Sequence, residues 1–255
     1  MSTATYALAD TKTMLRRNLL HAKRYPSMTL SLIIMPIVML LLFNYIYGGA
    51  LESSVGGGEY INYLAPSMML MIPAYVSVGL AVLVATDMTK GIVNRFRSMS
   101  ISQSSMLNGQ VLGTTIQALI GVVFMTLAAL VIGFRPNADV LEWLAAFGLI
   151  TAVIFALSWL AAAFGLVAQN PESASNLPMP IVMLPFLSLV PASTMPVGVK
   201  QFVEYQPFTP IGETIRGLLI GAEIGNNGIL ALLWIAAIAI GGYFWATSQF
   251  RRRIN

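Results

Sequence analysis

The chain alternates long apolar runs with short polar breaks, and six runs stand out, at 28–47, 61–86, 111–134, 141–168, 177–195 and 228–250. At a helical rise of ~1.5 Å per residue, most of them match a hydrocarbon layer ~30 Å thick. Barrel strands would instead alternate apolar and polar positions over about ten residues. The pattern therefore predicts six transmembrane helices. Proline falls inside three of the runs: Pro36 in the first, Pro66 and Pro73 in the second, and Pro178, Pro180, Pro185 and Pro191 in the fifth. Each proline removes one backbone hydrogen bond and bends the helix, and neighbours must satisfy the freed carbonyl. The fifth run is expected to be broken or bent and packed inside the protein.

Three polar breaks have patterns of their own. In 6–27, Met14, Leu15, Leu19 and Leu20 fall on one side of a helix and Arg16, Arg17 and Lys23 around the rest, which predicts an amphipathic helix lying in the membrane interface. In the loop 87–105, Ile92, Val93 and Phe96 share a face at i, i+3 and i, i+4 spacing, ringed by Lys90, Arg95 and Arg97. Asp87 or Thr89 is placed to cap this short helix. Its apolar face and basic rim suit anionic lipid headgroups or a groove on a soluble subunit equally well. The stretch 197–227 is too apolar for a free loop and is expected to form short re-entrant helices. There Thr209 and Pro210 read as an N-cap and first helical position, and Glu213 and Arg216 as a pair on one face.

Composition fixes the class. Of the 255 residues, 57% are hydrophobic and only 9% charged, with a mean hydropathy of +0.77. A soluble domain carries about 25% charged residues, so this is an all-α integral membrane protein, read as one transmembrane domain over 1–255. The charges also give an orientation. Lys12, Arg16, Arg17, Lys23, Arg24, Lys90, Arg95, Arg97, Arg251, Arg252 and Arg253 fall on one side of a six-span chain, against Arg135, Lys200 and Arg216 on the other. The positive-inside rule puts both termini and the 87–105 loop in the cytoplasm of a cell with this protein in its plasma membrane.

Several chemistries are excluded or unsupported. No Gly-Lys dipeptide occurs, so a phosphate-cradling P-loop is missing. The single histidine, His21, sits in a basic stretch and reads as a solvated or headgroup-level side chain, and no G-x-S-x-G elbow accompanies it. Without cysteine or a carboxylate–histidine cluster, no metal site is expected. The runs lack ionisable residues near their middles, which ion-coupled transport would need, and only Glu142 lies inside one, close to its end. If the protein moves cargo, energy enters from outside the membrane region.

The stretch "DMTKGIVNRFRSMSISQSSMLNGQVLG" resembles the cytoplasmic loop of DrrB-like permeases, the daunorubicin-resistance and multidrug group of type-2 ABC exporter membrane subunits. Asp87, Gly91, Arg95–Phe96–Arg97, Ile101–Ser102 and Gly109 fill the places of that loop, with Ser100 where the family usually has proline. Further resemblance lies in "LFNYIYGGAL", "VAQNPESAS", "FLSLVPASTMP" and "YQPFTPIGETIRGLLIG", in the same order along most of the chain. The resemblance implies an ATP-driven export permease, homodimeric or paired with a homologous permease, working with two copies of a separate ATPase that binds ATP and Mg²⁺. This chain itself would then bind no cofactor, have no catalytic residue and bind no nucleic acid. It further implies that Asp87, Gly91, Ile92, Arg95, Phe96 and Arg97 form the ATPase-coupling element. The interfacial helix, with Met14, Leu15, Arg16, Arg17 and Leu19, would touch the ATPase as well as membrane lipids.

On the same resemblance, Glu213 and Arg216 would belong to an external gate. Asn44, Tyr45, Met68, Met69, Met71 and Tyr75 would line a pliant pathway for hydrophobic drugs, natural products or lipid-like molecules. Two other functions compete: export of polysaccharide or lipid-linked polymer, for which no ladder of sugar-binding aromatics is seen, and a non-transporting membrane scaffold or sensor.

Overall fold

The computed structural model describes residues 3–24, 26–51, 59–90, 103–190 and 195–254. They fold as helices, with no strand among them. Helix α1 (Thr3–Arg24) leads, one residue later, into α2 (Pro26–Leu42). That helix runs on through a wider π-helical stretch, Phe43–Tyr47, into Gly48–Leu51. Helices α3 (Tyr60–Met69) and α4 (Met71–Thr89) form one apolar rod broken at Leu70. The break has a covalent cause. Pro73 has no N–H to offer the carbonyl of Met69, and Pro66 withholds one from Asn62. Leu70 donates instead to Ser67 O at 3.2 Å, a tighter i→i−3 bond.

Beyond the rod come α5 (Gln103–Ile132), α6 (Val140–Val167), the short α7 (Pro171–Asn176) and α8 (Met179–Leu187). Helices α9 (Val197–Tyr205), α10 (Phe208–Ile220) and α11 (Asn227–Ile254) complete the chain. Four rods among the described residues are long and apolar enough to cross a membrane: Tyr60–Thr89, Ser105–Ile132, Val140–Val167 and Asn227–Arg253. A shorter apolar helix covers Ile33–Tyr47. The fifth run is broken, as its prolines require, since α8 has nine residues. It is less enclosed than expected: Val182 and Pro185 are buried while Met179 and Met183 face outward.

The broken rod α3–α4 and helix α6 occupy the centre, and small residues bring their backbones together. A side chain at Gly165 of α6 would meet the carbonyl oxygen of Ala81 at 2.5 Å and Val84 Cβ at 2.8 Å. On the other side of α6, Gly242 of α11 lies against the Leu160 backbone. Such close approach replaces the hydrophobic drive that lipid cannot supply, because packing attraction grows as helix axes near one another. Met68, Met69 and Met71 are fully buried in this core with Leu64, Ile72 and Phe208.

Two element boundaries differ from the sequence pattern. Helix α5 begins at Gln103, not near 111, because its polar first turns pack on α1: Ser105, Met106, Leu107 and Gln110 are all buried. Helix α10 begins at Phe208, so Thr209 lies in its first turn and does not cap it. Gln206 takes the capping role, its side-chain oxygen accepting from Phe208 N at 3.0 Å. Helix α6 opens on a reciprocal cap: Asp139 accepts from Glu142 N at 2.7 Å, and Glu142 accepts from Asp139 N at 2.8 Å. Glu142 is thus an end residue with a structural partner.

Candidate functional site

Polar side chains gather at the two ends of the bundle. At one end the last turns of α4, α6 and α11 meet: Gly165 packs on Val84, and Arg253 donates to the Ala168 carbonyl just past α6 at 3.0 Å. A guanidinium suits this place, because the last carbonyls of a helix lack partners and carry partial negative charge. Helix α1 joins them there. Lys12, Arg16, Lys90, Arg251, Arg252 and Arg253 are exposed around this end.

The joint at the basic end is an ion pair between distant helices. Arg17 of α1 donates one guanidinium nitrogen to both carboxylate oxygens of Asp87, each at 2.9 Å. Gln110 of α5 adds its amide to Asp87 Oδ2 at 2.8 Å. The Asp87 side chain is 4% exposed and that of Arg17 39%. A carboxylate so deep is tolerated when donors replace its water, and these three bonds do so. Two turns along α5, Gln117 donates to Asn18 Oδ1 at 2.5 Å. The seam between the helices is tight because α5 carries glycine where α1 crosses: a side chain at Gly113 would meet Asn18 Cγ at 2.6 Å, and one at Gly109 would overlap Met14. A cavity of about 30 Å³ remains beside the pair, lined by Met14, Arg17, Asn18, Leu83, Asp87, Met106 and Gln110.

The joint at the opposite end centres on Arg216 of α10, which is 7% exposed. Its guanidinium carbon sits 3.6 Å from the centroid of the Tyr63 ring. One arm forms an ion pair with Glu213, and the other donates to Tyr63 O and Ser67 Oγ, both at 3.1 Å. Ser67 Oγ in turn donates to Ser188 O at 3.3 Å, and Gln206 bonds Ser188 Oγ at 3.1 Å and Thr209 Oγ1 at 2.7 Å. Tyr60 donates to Leu189 O at 2.9 Å. One network thus ties α3 and the end of α8 to α10. Two clefts open nearby. One, about 790 Å³, is lined by Glu204, Tyr205, Thr209, Glu213, Asn226, Asn227, Ile229 and Leu230. The other, about 350 Å³, includes Asn44, Glu59, Tyr60 and Arg135. Both are of a size that holds a small organic molecule.

The structure brings together residues that the sequence pattern assigned to separate elements. Asp87 of the loop set and Arg17 of the interfacial set are direct partners. Asp87 and Thr89 are the closing residues of α4, Thr89 Oγ1 donating back to Ala85 O at 3.0 Å. The helix they were expected to open lies outside the described residues, as do Gly91, Ile92, Arg95, Phe96 and Arg97.

On α1 the packing face differs from the apolar stripe. Met14 and Asn18 are buried, Leu15 and Leu19 half-buried, Arg16 exposed, and Leu20 is turned out. Glu213 and Arg216 do pair. Of the six residues assigned to a pathway, Met68, Met69 and Met71 are packed inside the single chain and Tyr75 is partly buried, so they stabilise the core here. Asn44 and Tyr45 lie in the π-helical stretch, Tyr45 well exposed.

Gln110, Asn18 and Gln117 were missed, as were Tyr63, Ser67, Ser188 and Gln206, while Thr209, expected as a cap, instead bonds Gln206 and Ser188. For two of them a signal existed: Gln110 and Gln117 are amides seven residues apart, one just before the third apolar run and one inside it, hence on one face. The rest join elements about a hundred residues apart or more, or hide among ordinary loop polar groups.

Residues 9–220 match the ABC-2 type transporter family, a span that includes both joints. The chain is 29% identical over 239 residues to the daunorubicin resistance ABC transporter permease protein DrrB1 of Streptomyces coeruleorubidus, covering 92% of this chain and 83% of that one. It is also 29% identical over 146 residues to the doxorubicin resistance ABC transporter permease protein DrrB of Mycobacterium tuberculosis, covering 57% of this chain and 47% of that one.

Proposed function

The chain belongs to the ABC-2 type transporter family, as a DrrB-like membrane permease, and from that premise we propose that it is the membrane-spanning half of an ATP-driven drug exporter. ATP hydrolysis in such a system resides in a separate subunit, which would supply the bound ATP and Mg²⁺. Two permease copies and two ATPases make up the working unit. The cargo is a hydrophobic drug, a natural product or a lipid-like molecule, in keeping with the resistance to daunorubicin and doxorubicin named for its relatives. Both termini and the 87–105 loop face the cytoplasm of the plasma membrane, and six segments cross it. The two crossings beyond the four long rods are the segment that contains the shorter apolar helix Ile33–Tyr47 and the broken fifth run, of which α8 is one part.

The observation that supports this reading best is the segregation of charge in space. Lys12, Arg16, Arg17, Lys90, Arg251, Arg252 and Arg253 share one end of the bundle, and the described residues of the other end hold Arg135, Lys200 and Arg216. A basic end is where the positive-inside rule puts the cytoplasm, and where an ATPase would dock. In this scheme Gly91, Ile92, Arg95, Phe96 and Arg97 make the ATPase contact, and α1 lies beside it. At the outer end α9 and α10 form the re-entrant closure, with Glu213 and Arg216 as its gate. Among the pathway residues Tyr45 has the exposure that cargo contact requires, with the half-buried Asn44 beside it.

The test is reconstitution. The permease, purified with its partner ATPase, is expected to drive ATP-dependent uptake of a fluorescent hydrophobic amine into inside-out vesicles. Uptake without the ATPase, or none with it, would refute the exporter reading.

A further inference from the structure

The Arg17–Asp87 pair lies where α1, α4 and α5 converge, and its geometry is unusual for a joint that only stabilises. A buried carboxylate is costly to desolvate, and an apolar pair of equal volume often holds helices together as well or better. What an ion pair adds is register, since its attraction and hydrogen bonds are lost when either partner shifts. Three features fix the register here. Asp87 Oδ1 and Oδ2 both receive the same Arg17 nitrogen at 2.9 Å. Gln110 holds Oδ2 from the α5 side at 2.8 Å. Gly109 and Gly113 let α1 lie directly on the α5 backbone, where a Cβ would overlap Met14 or Asn18, so the pair is held at close range. Three residues after Asp87, at Lys90, the described part of α4 ends and the 87–105 loop continues.

We propose that Arg17 is a positioning residue for energy coupling. By gripping Asp87 it fixes α1 to the root of the α4–α5 loop, so that both elements move as one body when the ATPase pushes on either. This rests on the exporter reading above. A load applied to a free loop would be absorbed by local bending. A load applied to a loop tied to a 22-residue helix reaches α4 and α5 together, and through Gly165 and Ala81 it reaches α6. Arg17 acts through Asp87 and touches no cargo. Its role is to make displacement at the basic end a displacement of three spans.

The experiment uses the permease–ATPase complex in proteoliposomes, with Arg17→Gln, Asp87→Asn and Arg17→Lys compared with wild type. Cysteines replacing Lys12 and Lys90, both exposed, carry spin labels; the chain has no native cysteine to interfere. Arg17→Gln and Asp87→Asn are expected to copurify with the ATPase, while transport per ATP hydrolysed falls about tenfold. The Lys12–Lys90 label distance should be narrow and the same in nucleotide-free and vanadate-trapped wild type, and broad in Arg17→Gln. Arg17→Lys, which keeps a charge within reach of Asp87, should recover most of the transport and the narrow distance.

The proposal is overturned if Arg17→Gln transports normally per ATP, if Arg17→Lys is as impaired as Arg17→Gln, or if the wild-type distance changes between nucleotide states. It is equally overturned if Arg17→Gln loses the ATPase, which would make Arg17 a docking residue. Should wild type itself show no ATP-driven transport, the exporter reading fails. The label distances in wild type and Arg17→Gln still decide whether this residue holds α1 to α4.

Discussion

The guanidinium of Arg216 lies over the ring of Tyr63, its central carbon 3.6 Å from the ring centroid, although 153 residues separate them. The same side chain donates to the Tyr63 carbonyl and to Ser67 just below it. These contacts sit one turn from the proline break at Leu70, so Arg216 braces the weakest part of the α3–α4 rod. Stacking and forked donation need a planar cation, which lysine is not. Arg216→Lys should therefore cost about 2 kcal/mol, read as a lower melting temperature in detergent. Glu213, with its side chain 31% exposed, can rehydrate when altered, so Glu213→Gln should cost about 1 kcal/mol or less. Equal losses from the two would make the ion pair, and not the stack, the source of the brace.

Docking of the ATPase depends on Phe96 in the exporter reading. Phe96→Asp places a charge on the apolar face of the loop, where desolvating it opposes binding. The expected result is loss of ATPase copurification with normal membrane insertion and unchanged thermal stability of the permease. An undiminished pull-down would remove Phe96 from the interface.

Two glycines of α6 should respond in opposite ways. A methyl at Gly165 meets the Ala81 carbonyl oxygen at 2.5 Å, whereas one at Gly148 meets nothing within 4 Å. Gly165→Ala should destabilise by about 1–3 kcal/mol through overpacking. Gly148→Ala should be neutral or stabilising by up to ~1 kcal/mol, as alanine restricts the backbone less favourable to a helix. Thermal unfolding in one detergent distinguishes them, and a tolerated Gly165→Ala would mean that α4 and α6 pack less closely.

Orientation has a direct check, since the chain lacks cysteine. Cysteine replacing Lys200 on α9 should react with a membrane-impermeant maleimide in intact cells. Cysteines replacing Lys12 or Lys90 should react only after permeabilisation. The opposite pattern would invert the topology and detach the basic end from any cytoplasmic ATPase.

The α1–α5 seam predicts a fourth mutational effect. Gly113→Leu puts a branched side chain where Asn18 lies. Helix α1 should then lose protection from amide hydrogen exchange while α6 keeps its own. Protection of α1 at the wild-type level would show that the helix is held by something other than this seam.

Apolar runs, prolines and charge were enough to establish helices, a membrane environment and two unlike ends, because each is a local property of the chain. Transfer of a helix into hydrocarbon depends on its own side chains, and a proline bends the helix that contains it, as at Leu70. The Glu213–Arg216 pair was legible for the same reason, being one turn apart. Partnerships between helices were not legible. Nothing near Asp87 announces Arg17, nothing near Arg216 announces Tyr63, and Met68, Met69 and Met71 look alike whether they line a pathway or fill a core. Which glycine faces a neighbour's backbone, and which polar side chain is buried against it, depends on how the rods rotate about their axes. In an apolar solvent that rotation is set by close packing and by a few interhelical hydrogen bonds, so only the assembled structure decides it.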